Sequence, residues 1–234
     1  EDDGEVVLDT TTFYAESGGQ VADTGYLVLN GQNIEVKDVQ KAPRKQHLHS
    51  VETNGLTLNV GDEVEVKVNL ARRNRITRNH SACHLLQKAL QEVLGNGVHQ
   101  AGSYVDEEKL RFDFTYVTKI SQEQLKLVER KVNEAIDAAY VTNIQELPIE
   151  EAKKLGAMAL FGEKYDNIVR VVDFGGYSIE FCGGCHVSNT QDIGVFAIEF
   201  EESISSGVRR IQACAGIGGY KFLKSKEEIF LKIS

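Results

Sequence analysis

The sequence lacks the features that mark several protein classes. No apolar run approaches the length of a membrane-spanning helix, and no charged-then-apolar leader precedes the first expected strand. Cysteine occurs four times in 234 residues, at 83, 182, 185 and 214, which does not resemble a disulfide framework for a chain of this size. Basic residues are in deficit: 26 Lys and Arg face 35 Asp and Glu, for a formal charge of −9. This argues against a broad basic face for generic nucleic-acid binding, but leaves room for a local patch. Internal repeats and low-complexity tracts are absent. What remains, 41% hydrophobic and 26% charged residues, fits a soluble globular protein with length for one large core or two small ones. The chain starts at Glu1 and stops within a charged, helical-looking run, 221–234, so both ends are expected to be cuts in a longer protein.

Histidine and cysteine, by contrast, are concentrated. Asn79-His80-Ser81-Ala82-Cys83-His84-Leu85-Leu86 places two imidazoles at i and i+4, one turn apart on one face if the segment is helical. Cys182-Gly183-Gly184-Cys185-His186 offers a thiolate and an imidazole at the same spacing, with two glycines that let the backbone bend closely. A lone His pair of this kind is common on solvated helix faces. At about 100° per residue, Ala82, Leu85, Leu86, Ala89, Leu90 and Val93 gather on one side, with His80 and His84 nearly opposite. The pair therefore faces either solvent or a cleft that another element closes, and the second motif supplies such an element. His80, His84, Cys182 and His186 together suit tetrahedral zinc. A zinc protease would need glutamate after the first histidine, and Ser81 stands there.

Around these motifs, residues 5–68 read as a small all-β unit. A strand at 5–9 is followed by a hairpin of 26–29 and 34–39 turned at Asn30-Gly31, and then by an alternating strand at 63–68. Short strands with frequent turns predict a compact barrel. From about 71 the period changes. A helix is expected over 76–94, ended by Gly95, then strands at 98–105 and 110–114. Ser121 and Gln124 form a capping-box signature for a helix striped with Leu125, Val128, Val132, Ala135, Ile136 and Ala139. A short helix over 149–155 and strands at 168–173, 177–181, 193–200 and 207–213 complete an α+β part, with helices on a mainly antiparallel sheet. Arg72, Arg73, Arg75 and Arg78, entering the His helix, form the strongest basic cluster; Arg209-Arg210 and Lys41, Arg44, Lys45 read slightly better as solvated surface.

Several longer motifs carry a resemblance. Phe13-Tyr14-Ala15-Glu16-Ser17-Gly18-Gly19-Gln20, the Asn79 motif, Gln100-Ala101-Gly102-Ser103 and Leu110-Arg111-Phe112-Asp113-Phe114 resemble segments of bacterial alanyl-tRNA synthetases. So do Ala159-Leu160-Phe161-Gly162-Glu163-Lys164-Tyr165, the Cys182 motif and Ser206-Gly207-Val208-Arg209-Arg210-Ile211. The resemblance implies the editing part of that enzyme: a glycine-rich β-barrel subdomain over 1–70, a zinc-dependent deacylase core over 71–220, and the start of a helical linker over 221–234. The ATP-binding aminoacylation domain would lie upstream. By the same resemblance His80, His84, Cys182 and His186 are the zinc ligands, and Gln100 and Cys83 are pocket residues of the catalytic site. Gly18, Gly19, Gln20 and Arg73 are expected on the substrate side. The implied partners are alanine tRNA mischarged with serine or glycine and the rest of the synthetase, in the cytoplasm and without membrane contact. A free-standing deacylase or a non-catalytic tRNA-binding module with structural zinc are the alternatives. The family usually has threonine where Cys83 and Cys185 stand, and either thiol is a possible competitor for the metal.

Overall fold

The computed structural model describes residues 3–159 and 165–233, so most of the motif at 159–165 lies outside the described residues. The chain divides into two compact units, 1–74 and 75–234.

In the first unit, β1 (Asp3–Val7), β2 (Gly25–Leu29), β3 (Gln32–Lys41), β4 (His47–Glu52) and β5 (Glu65–Val68) form an antiparallel sheet in the order β1-β4-β3-β2-β5. Its core is Phe13, Ala15, Ala22, Leu27, Ile34, Val36, Val39 and Val51. The β2–β3 hairpin turns at Asn30 and Gly31, both with left-handed φ (51° and 81°), the backbone that a tight two-residue hairpin requires. Gly25 admits β5: a Cβ there would lie 2.1 Å from the Lys67 carbonyl oxygen. The expected closed barrel is not formed. Among the described residues the outer strands β1 and β5, of five and four residues, pair only with β4 and β2, and strands this short do not reach round to meet each other.

Strand β4 went unrecognised in the sequence because a histidine fills one of its inward positions. His49 is fully buried, with Nδ1 donating to the Val6 carbonyl (3.0 Å), Nε2 accepting from the Thr11 hydroxyl (2.9 Å) and the Phe13 ring edge-on at 5.5 Å.

The α+β expectation holds. Helix α1 (Leu70–Leu94) starts six residues before the expected position, because Asn69 caps it by accepting from the Arg72 amide (3.1 Å). In the second unit, strands β6 (Gln100–Val105), β7 (Leu110–Thr115), β11 (Phe196–Ser205) and β12 (Val208–Ala215) make an antiparallel sheet ordered β11-β12-β7-β6. A second antiparallel sheet, β10-β9-β8, consists of β8 (Thr142–Pro148), β9 (Ile168–Phe174) and β10 (Ile179–Phe181). Leu110, Phe112 and Phe114 of β7 are fully buried, as are Ile76, Leu85, Leu86 and Leu90 of α1.

The expected capping box opens α2 (Gln122–Asp137): Ser121 Oγ accepts from Gln124 N, and Gln124 Oε1 accepts from Ser121 N. Two side chains of α2 bond the backbone of β11. Asn133 donates to the Phe196 carbonyl (2.9 Å) and accepts from its amide (3.0 Å), and Glu129 accepts from the Ile198 amide (2.7 Å). A short helix α3 (Ile149–Lys154), a 3-10 turn (Thr190–Ile193) and α4 (Ile217–Ile233) complete the unit. Among the described residues no helix is long and apolar enough to cross a membrane.

Burial lowers the pKa of His49 from its ordinary 6.5, so the folded chain holds it neutral. Its contribution is fully present above that value and is lost as pH falls below it, where the unfolded chain takes up a proton that the folded one resists. Urea melts at pH 7.5 and 5.5 test this. The expected result is a stability loss at pH 5.5 that is smaller in His49→Gln; equal losses would remove His49 as a source.

Candidate metal centre

Helix α1 supplies His80 and His84 from the side opposite its Leu85–Leu86 face. Both are nearly inaccessible, at 6% and 5% exposure, which decides for a closed cleft over a solvated face. The closing element is the chain leaving β10. The β9–β10 ladder continues one step beyond Phe181 as Cys182 N donates to the Arg170 carbonyl (3.0 Å), and the two glycines then turn the backbone so that His186 comes back to α1. Phe174, fully buried, sets its ring edge against His84 (5.8 Å) and His186 (5.7 Å).

The four expected ligands converge. One donor atom from each of His80, His84, Cys182 and His186 lies within 4.8 Å of all the others. Cys182 Sγ is 3.5 Å from His80 Nε2 and 3.3 Å from His186 Nε2. Bonds of about 2.3 Å to sulfur and 2.0–2.1 Å to nitrogen at the tetrahedral angle separate two zinc ligands by roughly 3.6 Å. The donor chemistry and spacing therefore fit a zinc-sized ion. Cys83 and Cys185, the possible competitors, are outside this group among the described residues.

Two polar residues face the imidazoles from behind. Ser81 Oγ is 3.2 Å from His186 Nδ1 and also accepts from the Val187 amide (3.1 Å). Glu180 Oε2 lies 3.3 Å from His84 Nδ1, off the line of an ideal hydrogen bond, while its other oxygen accepts from Ser178 (2.8 Å). Partners on the second nitrogen fix ring orientation and raise ligand basicity, so both arrangements present Nε2 towards the centre. Neither residue was singled out from the sequence as a partner: Ser81 served only to exclude a protease, and Glu180 sits in an apolar strand.

Burial sets the protonation. It lowers His80 to about 4, with the Arg170 charge adding to the effect, and holds His84 and His186 well below 6.5 with help from the neighbouring imidazoles. The three imidazoles are thus neutral donors at pH 7. Burial also pushes Cys182 up to about 12 and Glu180 up to about 8 in the metal-free chain.

The remaining expected site residues occupy different surroundings. Cys83 is buried on α1, and burial, with Glu180 and Cys182 nearby, raises its pKa well above the ordinary thiol value; it is a neutral thiol. Gln100, at the start of β6, donates to Ser103 Oγ (3.1 Å). In the first unit Gly18 (φ 59°) and Gly19 (φ 81°) form a turn closed by the Ser17–Gln20 bridge, and Gln20 is buried. Arg73 pairs with Asp23 there and donates to the Thr12 carbonyl, and Arg72 donates to the Ala22 carbonyl (2.6 Å). Arg209 and Arg210 pair with Glu201 and Asp113 through side chains that are largely covered, so this cluster is a set of ion pairs on the sheet rather than the solvated surface expected.

Metal binding must displace the Cys182 proton, and each proton released makes the affinity fall about tenfold per pH unit on acidification. Titrations from pH 8 to 6 are expected to show at least that slope, and a flat profile would remove thiolate ligation. Glu180→Ala is expected to weaken binding about 10–100-fold in chelator competition, with the fold retained by circular dichroism. Unchanged affinity would mean that Glu180 does not orient His84.

The sequence is also similar to known proteins. Residues 1–72 match the family described as tRNA synthetases class II (A), and residues 169–212 match the threonyl and alanyl tRNA synthetase second additional domain. The alanine–tRNA ligase of Bacillus cereus is 48% identical over 225 residues, 96% of this chain and 26% of the ligase. That of Halalkalibacterium halodurans is 51% identical over 229 residues, 97% of this chain and again 26% of the ligase. The chain thus spans about a quarter of the length of these relatives, and nearly all of its own length is matched. It belongs to the alanine–tRNA ligase family, as a segment that carries the second additional domain.

Proposed function

We propose that this segment edits: it hydrolyses the ester linking a wrong amino acid, serine or glycine, to alanine tRNA. The observation that carries the reading is the convergence of three imidazoles and one thiol inside a segment that matches alanine–tRNA ligases along nearly its whole length. The need is physical. A synthetic pocket sized for alanine discriminates against glycine or serine by only about 1–3 kcal/mol, so a second, hydrolytic site must supply the rest.

In this reading His80, His84, Cys182 and His186 hold zinc. Zinc so bound supplies a fixed positive charge that orders the pocket and favours an electron-rich substrate oxygen beside it. Glu180 and Ser81 hold the imidazoles in orientation, and Phe174 excludes water behind them. Water adds to the ester carbonyl, the terminal ribose hydroxyl of the tRNA leaves, and the free amino acid departs. Gln100 is assigned to positioning, because an amide both accepts from the substrate ammonium and donates to an ester oxygen. Cys83 is assigned to the pocket wall. As a neutral thiol it is a weaker hydrogen-bond partner than a hydroxyl, so it grips a seryl side chain less firmly.

On the RNA side, Gly18, Gly19 and Gln20 are assigned through the turn they build, and Arg73 through the fifth of its side chain that stays exposed. The partners are then alanine tRNA carrying serine or glycine and the remainder of a cytoplasmic ligase.

The test is deacylation of seryl-, glycyl- and alanyl-tRNA of the alanine type. The expected result is loss of the seryl and glycyl esters with the alanyl ester spared, abolished by chelation. His84→Ala and Gln100→Ala should each lower the rate at least about 100-fold, the second with its metal retained. No cleavage by the folded, metal-loaded chain would instead support a tRNA-binding segment without chemistry.

A further inference from the structure

Cys182 is the ligand whose position the local sequence controls least. It is followed by two glycines, which have the widest conformational freedom of any residue, and the only thiol of the metal set stands at the start of that turn. A precise donor position therefore needs a restraint from outside the turn, and one residue provides it.

Arg170 lies on β9, in register with Glu146 of β8. It holds Cys182 at both ends of its backbone. The Arg170 carbonyl accepts from Cys182 N (3.0 Å), and Arg170 Nη1 donates to the Cys182 carbonyl (2.6 Å). The same Nη1 donates to the Gly184 carbonyl (2.9 Å), so one guanidinium nitrogen ties the two ends of the turn together. Inside the turn, Gly184 N approaches Cys182 Sγ at 3.4 Å, an amide aimed at the sulfur.

We propose that Arg170 is a positioning residue for the metal centre, which fixes Cys182 in the ligand set by clamping the Cys182-Gly183-Gly184 turn. The inference rests on the metal reading above. An arginine suits the task because its charge is permanent and its donors are held in a rigid plane, so the two carbonyls are gripped in one geometry.

Cobalt(II) serves as the probe, because a thiolate–cobalt bond gives a charge-transfer band distinct from the d–d bands of the tetrahedral ion. The 234-residue chain is titrated as wild type, Arg170→Lys and Arg170→Gln, and the metal-free proteins are compared by circular dichroism and thermal melting. For Arg170→Gln the expected result is an affinity at least about tenfold weaker, with the sulfur band diminished relative to the d–d bands. Arg170→Lys, which keeps a charge but not the planar fork, should fall between the two. An Arg170→Gln protein with the wild-type band and affinity would overturn the inference, even if its melting temperature were lower, since that is a structural role alone. If Arg170→Gln does not fold, wild-type behaviour of Arg170→Lys overturns it. Failure of the wild type to bind cobalt would instead overturn the metal reading, and the inference with it.

Discussion

Four side chains that could hold a metal come together from two distant stretches of sequence, His80 and His84 buried and Cys182 and His186 half-buried, and the second unit is arranged around making that tolerable. An imidazole has two nitrogens, and one that turns a single nitrogen inwards leaves the other to find a partner away from water. Ser81 meets that demand for His186, and at His84 the Glu180 carboxyl stands 3.3 Å from Nδ1 as an electrostatic neighbour rather than on the line of a hydrogen bond. The requirement then propagates. Glu180 must point inwards from β10, which obliges Ser178 to occupy its other oxygen. The β9–β10 hairpin is held tight by Phe174 N donating to the Ser178 carbonyl (2.9 Å) and Tyr177 N donating to that of Phe174 (3.0 Å), so its end delivers Cys182 beside α1. Asn79, one residue before the first histidine, ties α1 to the loop after β6 by donating to the Asp106 carbonyl (2.9 Å) and to the end of β12 by accepting from the Ala215 amide (2.9 Å).

Much of this was legible in the sequence. The i, i+4 histidines opposite an apolar face left open solvent or a cleft as the choices, and the glycine-flanked Cys–His pair supplied an element to close the cleft. The long helices were readable because their apolar positions repeat on the helical period, and the hairpin at Asn30-Gly31 because its turn demands those residue types. These are signals that a few neighbouring residues carry by themselves.

What was missed depends on partners remote in sequence. Strand β8 is mostly exposed and shows no alternation, so nothing local marks it; its pairing with β9 makes it a strand. The segment before β11 read as strand from 193, but Asn189 caps a 3-10 turn there by accepting from Gln191 N (2.8 Å), and the extended chain begins only at Phe196. The barrel expectation missed β4 and could not weigh the lengths of the strands it did recognise. Glu180 and Arg170 look like ordinary strand residues until the fold brings α1 and the Cys182 turn to them.

The contact of α2 with β11 has a consequence beyond holding a helix in place. Strand β11 is the outermost of its sheet, and such a strand offers a row of amides and carbonyls to any extended chain that drifts past. At Phe196 the amide and the carbonyl are already taken by Asn133, and at Ile198 the amide is taken by Glu129. Two side chains on a helix thus imitate the rungs of a missing neighbour, and protect this stretch of the sheet against growth into a fibre.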